Sequence, residues 1–239
     1  MIKVKNKLFP VPDQKLVYIG NGGQGDFSTF TKNLNMQRFH SFCSFALFSY
    51  LLLCVACQNT SEPNYYTLPT YNDDNSVNVV IEIPAGTNHK IEYDPQTNVF
   101  GNDIENGRDR IINFLPYPGN YGFIPSTLMD ARRGGDGDAL DVLVLGESLP
   151  TKSQIATIPV GVLLLKDNGE LDSKIIAMPR DSMYRTMNIN NYQDFMIQYD
   201  NARRMVEQWF LSYKGPGEME FIGWKDDRYA REEIEKWAK

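Results

Sequence analysis

A chain of 239 residues that is 42% hydrophobic and 23% charged has an ordinary globular composition and is long enough to bury a sizeable core. Six Lys/Arg and two Asp/Glu lie before residue 58; removing them from the totals of 24 and 30 leaves 18 basic and 28 acidic residues, a net charge of −10 for the remainder. An acidic body of this kind excludes a general nucleic-acid binder, because a phosphate backbone requires neutralisation by Lys and Arg.

The amino-terminal part has the pattern of an export signal. Arg38 precedes an apolar run over residues 42–56, which is shorter than the roughly 20 residues that a helix needs to cross a bilayer. The run ends in the tripeptide Val-Ala-Cys, and short side chains before a cysteine resemble a bacterial lipoprotein processing site. Residues 36–57 are therefore predicted to be a lipoprotein-like signal peptide with Cys57 as the lipidated residue. An uncleaved anchor and a buried helix are the alternatives.

Composition also assigns the segments on either side of this signal. Residues 1–35 fit no other pattern, so we expect them to be disordered or to precede a true start at Met36. Residues 58–75 are polar with two prolines and are predicted to form a tether. This order of parts predicts an exported lipoprotein anchored to a membrane of the bacterial cell envelope, with a cytoplasmic protein as the alternative. All three cysteines precede residue 58, so the remainder holds neither a disulfide framework nor a thiolate zinc site.

A folded domain is predicted over residues 76–239, where β-branched and apolar runs alternate with turn residues. Strands are expected at 77–86, 89–94, 141–147, 153–171 with a turn at 167–169, 173–179 and 218–224. We expect the second of these to pair with the first. Apolar residues at helical spacing predict a helix over 202–213, and a capped helix is predicted at the end of the chain. Short strands followed by helices indicate an α+β fold, a small β-barrel with helices outside it.

The segment GDGDALDVLVLGE, residues 135–147, places three aspartates at the start of a buried strand. Carboxylates as close as Asp136, Asp138 and Asp141 repel one another unless a cation lies between them, so the cluster points to a metal site. An EF-hand is excluded, because Asp141 replaces the glycine of its loop and an apolar strand replaces the exiting helix. For the cluster taken alone, a solvated acidic turn is the alternative.

A second acidic cluster strengthens the metal hypothesis. Asp167 and Asp172 lie at a predicted hairpin end, and oxygen ligands in such numbers suit Mg²⁺ or Mn²⁺. Groups that can bind anionic oxygens occur at several places in the same domain: Lys90, Tyr117, Tyr121, Lys174, Tyr213 and Lys214. Carboxylates for metal combined with cations and phenols for anions are what phosphoryl transfer requires. Taken singly, each Lys or Tyr is more often a surface or core residue than a catalytic one.

Five blocks in order make the pattern specific: VVIEIPAG, KIEYD, YPGNYGFIPST, DGDALDVLVL and KDNGELDSKIIAMP. Together they resemble the soluble family I inorganic pyrophosphatases, over about residues 77–239. The resemblance implies a closed OB-like barrel of about five strands flanked by helices. It also implies hydrolysis of pyrophosphate to two phosphates with several Mg²⁺ ions per site, for which Mn²⁺ is a possible substitute. The metals and basic side chains would cancel the charge of the polyanion and activate the attacking water.

The resemblance also implies roles for individual residues, transferred motif by motif. Asp138 would be the general base. The metal ligands, with the two glutamates supporting metal-bound waters, would be Asp136, Asp141, Asp167, Asp172, Glu92 and Glu82. Phosphate oxygens would be bound by Lys90, Arg110, Tyr121, Lys174, Tyr213 and Lys214, with Tyr117 behind them. Arg108 is an alternative to Arg110, and the inserted ARRGG would bring Arg132 or Arg133 to the border of the site.

Two other functions stay open at the level of sequence. A hydrolase of another phosphoanhydride, a nucleotide or polyphosphate, would use the same groups. A calcium-dependent barrel that only binds would need the carboxylates but not Lys90, Lys174 and Lys214. The expected partners are pyrophosphate and, through the lipid anchor, a membrane, but not nucleic acid; a homo-oligomer is compatible with the sequence.

Overall fold

The computed structural model describes residues 62–239. The predictions for residues 1–35, for the signal at 36–57 with Cys57, and for the start of the tether fall outside this part of the chain. Within residues 62–239, no helix is both long enough and apolar enough to cross a membrane.

Eleven strands and three α-helices make up the described part of the chain. The strands are β1 (Val77–Ile83), β2 (Ile91–Asp94), β3 (Val99–Asn102), β4 (Ile104–Glu105), β5 (Arg108–Asp109), β6 (Asn120–Phe123), β7 (Asp141–Val144), β8 (Gln154–Asp167), β9 (Glu170–Leu171), β10 (Lys174–Pro179) and β11 (Met219–Lys225). The helices are α1 (Tyr192–Ile197), α2 (Asp200–Ser212) and α3 (Asp227–Trp237).

Five of the strands close into a ring. β1 pairs antiparallel with β6, β6 antiparallel with β7, β7 parallel with β10, and β10 antiparallel with β8. The ring closes because the first residues of β8 also pair with β1, while its later residues pair with β11 and β9. The predicted α+β class and the five-stranded closed sheet are therefore confirmed.

The alternation of side chains along the ring strands produces two large buried clusters, beside a smaller third one that contains Val80 and Phe123. Val142 and Ile175 belong to the cluster that also contains residues of α3, whereas Leu143 and Ile176 belong to the cluster that contains residues of α1 and α2. Successive side chains of a strand point to opposite faces, so strands covered on both faces must be apolar throughout. This explains why the sequence shows continuous apolar runs here instead of an apolar–polar alternation.

The helices follow the predicted periodicity. α2 buries Val206, Trp209 and Phe210, which are spaced three and four residues apart. α3 begins after Asp226, whose side chain accepts a hydrogen bond from the Tyr229 amide at 2.9 Å, and this is the cap that the sequence predicts.

The prediction that residues 89–94 pair with β1 is wrong. β2 instead forms a hairpin with β3, with Glu92 opposite Gly101. Both edges of β1 are already paired, one with β6 and the other with β8, so β2 cannot form backbone hydrogen bonds along β1. The link between the two strands is a side chain: the Tyr93 amide donates a hydrogen bond to Glu82 Oε1 at 2.8 Å.

The proline-rich segment 115–127, which is not among the predicted strands, contains the ring strand β6. Its prolines and glycines are uncommon in strands, so the sequence pattern did not indicate one here. Gly122 is required for the close approach of β6 to β1, because a Cβ there would lie 1.9 Å from the Val80 carbonyl oxygen.

Residues 62–75, here called the strap, are docked on the domain and correct the last part of the predicted tether. The Glu62 carboxylate forms an ion pair with Lys152 at 2.9 Å, and Tyr65 is buried. Thr70 Oγ1 donates a hydrogen bond to the Pro125 carbonyl at 2.8 Å. Polar composition suggested a free linker, but the tyrosines of the segment provide apolar surface that holds it to the domain.

Candidate active site

A cavity of about 370 Å³, here called the acidic cavity, lies beside the start of β7. Glu82 reaches it from β1, Lys90 and Glu92 from the β2 region, Asp138 from the loop that leads into β7, and Asp141 from the first position of β7. Glu82 and Asp141, which are 59 positions apart in the sequence, thus meet at one place, because the ring brings β1 and β7 to either side of β6.

The loop that carries the first acidic cluster has a fixed shape. Asp136 Oδ1 accepts a hydrogen bond from the Asp138 amide at 2.9 Å, and the Met129 amide donates to the Asp138 carbonyl at 2.7 Å. Gly137 lies between the two aspartates with a backbone φ of +94°, a conformation that residues with a Cβ rarely adopt. The glycine of the motif is therefore needed for the turn that presents both carboxylates.

Carboxylates are crowded in and beside this cavity: Glu82, Glu92, Asp138 and Asp141 line it with one lysine, Lys90, and Asp136 lies just outside the lining. Burial raises the pKa of Asp136 and of Asp138, and the negative charge of Asp141 raises both further. Burial also raises the pKa of Glu82 to about 8, with Lys90 and the Tyr93 amide opposing the shift. A bound cation would lower all three pKa values, so these groups have the electrostatics of a cation site.

Lys174 connects the two acidic clusters. Its side chain is only 4% exposed, and Nζ contacts Asp141 as well as Asp172, the latter at 2.5 Å. Burial alone would lower the pKa of this ammonium group, but the charge of Asp141 and of the other groups around it outweighs burial and raises the pKa well above its usual value. The aspartates predicted to hold metal are thus bridged by an ammonium ion.

A second cavity of about 320 Å³, here called the basic cavity after Arg110 and Lys214, lies at the end of α2. Tyr213 and two glutamates, Glu105 and Glu218, also line it. Lys214 contacts Asp167, and Arg110 pairs with Asp103 at 3.0 Å. The ring of Tyr213 is held by stacking on Trp209, with centroids 4.8 Å apart. Of the two arginines left open by the sequence, Arg110 lines this cavity and Arg108 does not.

Two neighbouring tyrosines, Tyr121 and Tyr117, lie close to the buried lysines. The ring of Tyr121 has Lys90 Nζ at 5.8 Å and Lys174 Nζ at 5.6 Å from its centroid, and the ring of Tyr117 lies 5.4 Å away. Burial raises the pKa of Tyr121 well above its usual value, so its hydroxyl stays protonated and can donate a hydrogen bond to an anionic oxygen.

The expectation that Arg132 or Arg133 borders the site is wrong. Arg132 is 90% exposed and pairs with Asp130, while the Arg133 guanidinium lies over the Trp237 ring at 4.6 Å. The inserted residues turn toward the end of α3, because the short helix Ala131–Arg133 ends at Gly134 in a left-handed conformation.

The donors present fit a hard divalent cation. Within residues 62–239, no three His, Cys, Asp or Glu side chains are close enough together to hold a metal ion as they stand. Lys174 separates Asp141 from Asp172, and the remaining donors are carboxylate oxygens spread around the acidic cavity. Mg²⁺ takes one or two carboxylates and keeps several waters, so a loose ring of oxygen donors suits it better than a compact cage.

Sequence reasoning missed three aromatic residues that line the acidic cavity, Tyr66, Tyr93 and Phe123. Tyr93 follows Glu92 directly in β2, and strand alternation places the two side chains on opposite faces, so the local pattern gave no signal for Tyr93. Tyr66 belongs to the strap, and nothing in the local pattern distinguishes it from the adjacent Tyr65.

The geometry agrees with the comparisons to known proteins. The family model for inorganic pyrophosphatase matches residues 79–239. The inorganic pyrophosphatase of Mesorhizobium japonicum is 36% identical over 171 residues, which cover 68% of this chain and 88% of the relative. That of Saccharolobus solfataricus is 36% identical over 166 residues, covering 67% and 88%. The crystal structure of the inorganic pyrophosphatase from Thermus thermophilus matches with a TM-score of 0.61 at 31% identity, covering 72% of this chain and 95% of that chain. The chain belongs to the inorganic pyrophosphatase family.

Proposed function

We propose that this chain hydrolyses inorganic pyrophosphate to two phosphates with the help of Mg²⁺, and that the residues described above carry out the reaction. The observation that supports this best is the pairing of the two acidic clusters with lysines: Lys174 contacts Asp141 and Asp172, and Lys214 contacts Asp167. Carboxylates for cations and ammonium groups for phosphate are thus within contact distance of one another.

The basic side chains would bind the substrate. Lys214, Arg110 and Tyr213 line the basic cavity and would hold the oxygens of one phosphate. Lys90, Lys174 and Tyr121 would bind oxygens nearer the acidic cavity, with Tyr117 supporting Tyr121. Lys174 would exchange its contacts with Asp141 and Asp172 for a phosphate oxygen once those carboxylates are neutralised. Charge neutralisation of this kind is the main requirement for attack on a polyanion.

The carboxylates would hold the metal and the attacking water. Asp136, Asp141 and Asp172 would bind the activating ions, with Asp167, Glu92 and Glu82 completing their surroundings. When bound, Mg²⁺ supplies charge neutralisation and makes a water more acidic. Asp138 would accept the proton of that water at a carboxylate oxygen, a role that fits its place on the cavity wall.

The first prediction tests this function directly. The full chain should release phosphate from pyrophosphate in millimolar Mg²⁺ and be nearly inactive in EDTA, because the carboxylates repel the polyanion unless cations neutralise them. Colorimetric phosphate release measures both conditions. Equal rates with and without chelator would refute the metal requirement.

The same assay separates the alternatives. Release from ATP or polyphosphate at a rate equal to that from pyrophosphate would favour the broader phosphoanhydride hydrolase. Absence of phosphate release from any of these substrates, together with Ca²⁺ binding, would favour a barrel that only binds.

We also propose that the protein is exported and held on a membrane by lipid at Cys57. The proposal is supported by the order of parts in the sequence: Arg38, the apolar run at 42–56, the Val-Ala-Cys tripeptide, and then the folded domain. One acyl chain holds a protein only marginally, so stable anchoring requires the several chains of a mature lipoprotein.

The second prediction concerns this anchor. In a bacterial host, the wild-type chain should enter the membrane fraction with the mass of a lipidated protein that starts at Cys57, whereas Cys57→Ser should block processing because the thiol is the attachment point. Cys43→Ser, which changes a cysteine inside the apolar run, is the matched control and should be processed normally. A soluble wild-type protein with residues 36–56 intact would contradict the export proposal and leave the enzymatic one standing.

A further inference from the structure

The strap lies outside the part of the chain that the family model matches, which begins at residue 79. It is nevertheless attached along its length. Tyr93 Oη accepts the Tyr65 amide at 3.1 Å and lies 3.2 Å from Asn64 Oδ1. Ser126 donates its amide to the Tyr66 carbonyl at 3.0 Å and its hydroxyl to the Leu68 carbonyl at 2.8 Å. These bonds fix the strap backbone on both sides of Tyr66.

The strap places one side chain in the acidic cavity. Tyr66 lines that cavity together with Glu82, Glu92, Asp138 and Asp141. Its ring is clamped edge-on by two others: its centroid lies 5.1 Å from that of Tyr93 and 4.6 Å from that of Phe123. The ring therefore has little freedom to leave the cavity wall.

The hydroxyl of Tyr66 distinguishes it from the rest of this aromatic wall. Phe123 has no hydroxyl, and the hydroxyl of Tyr93 is engaged with Asn98 Oδ1 at 2.6 Å and with the strap. The other polar groups lining the cavity are four carboxylates, which accept hydrogen bonds but do not donate them when ionised, and the ammonium of Lys90. A phenol on this wall supplies a neutral donor where the protein otherwise offers mainly acceptors.

We infer that Tyr66 is a positioning residue of the active site: its hydroxyl, on the wall of the acidic cavity, would donate a hydrogen bond to a carboxylate there once a cation is bound, and would hold that carboxylate in place for the cation and for the attacking water. The inference rests on the proposed function and extends the site to a segment that precedes the family domain. It assigns the strap a direct part in the reaction, beyond its packing on the surface of the barrel.

The third prediction tests this inference with two matched variants of the full chain. Tyr66→Phe keeps the ring between Tyr93 and Phe123 and removes only the hydroxyl. It should lower kcat for pyrophosphate about tenfold, as expected for loss of a hydrogen bond to a charged group, while KM changes less than about twofold. Tyr65→Phe removes the hydroxyl of the neighbouring buried tyrosine, which does not line the cavity, and should leave kcat unchanged.

A readout that does not depend on turnover accompanies the kinetics. Titration of Mg²⁺ without substrate, followed by calorimetry, should show weaker binding to Tyr66→Phe than to the wild type, and the melting temperature in EDTA should be the same for both. Wild-type kcat and Mg²⁺ affinity in Tyr66→Phe would overturn the inference. So would a rise in KM at constant kcat, or equal losses in Tyr65→Phe. If the wild type itself releases no phosphate, the proposed function fails, and the Mg²⁺ titration still decides whether the hydroxyl positions the carboxylates.

Discussion

Replacing Asp138 by Asn is expected to lower kcat for pyrophosphate by about 10²–10⁴-fold, the usual contribution of a general base. Asn keeps the size of the side chain and its place on the cavity wall but cannot accept a proton. The concentration of Mg²⁺ that gives half-maximal activity should change little, because Asp138 is not assigned to the metal. Steady-state rates measured over a Mg²⁺ series give both quantities.

Asp141→Asn provides the contrast within the same loop. It removes a proposed metal ligand, so its activity should be low at limiting Mg²⁺ and recover partly as the Mg²⁺ concentration rises. Asp73→Asn, at an exposed position on the strap, is the control and should behave as wild type. Near-wild-type rates for both Asp138→Asn and Asp141→Asn at saturating Mg²⁺ would mean that the site is misassigned.

Lys174→Met is expected to destabilise the fold as well as impair catalysis. The substitution keeps the apolar stem and removes the ammonium group from between Asp141 and Asp172, which leaves two carboxylates without their cation. Breaking one side of a buried ion pair costs about 3–5 kcal/mol. Urea unfolding in EDTA should therefore show a loss of this size, and Mg²⁺ should stabilise the variant more than the wild type because a bound cation replaces the missing charge.

Two further variants keep this prediction open to refutation. Lys166→Met removes an exposed lysine of β8 that pairs with Glu220 at 3.5 Å, and surface pairs of this kind contribute about 0–1 kcal/mol. Combining Lys174→Met with Asp172→Asn should recover part of the lost stability, since one uncompensated charge is then removed. A variant Lys174→Met that unfolds at the same urea concentration as Lys166→Met would show that Lys174 is not a buried counter-ion.

The sequence by itself predicted the residue types of the site and most of the secondary structure. Clustered aspartates such as Asp136 and Asp141, followed by an apolar strand, are local signals, because like charges so close in the chain repel one another unless a cation lies between them. The long strand at 154–167 and the helix at 200–212 are likewise local, since their apolar periodicity depends on a few neighbouring residues. These patterns were sufficient to predict the α+β class and the family, both of which are confirmed.

Only the tertiary structure decided which groups meet. Lys174 lies between aspartates of two different clusters, and Arg110 and Tyr213 line the same cavity. Both arrangements depend on strand pairings that no local pattern encodes. The pairing of β2 with β3 followed from the occupied edges of β1, and β6 formed despite its prolines because Gly122 permits close contact. The strap docked for the same reason: its polar sequence concealed tyrosines whose partners, Tyr93 and Phe123, lie more than 25 residues away in the chain. Contacts between distant residues are set by which surfaces remain uncovered once the ring has closed, and that is a property of the whole fold.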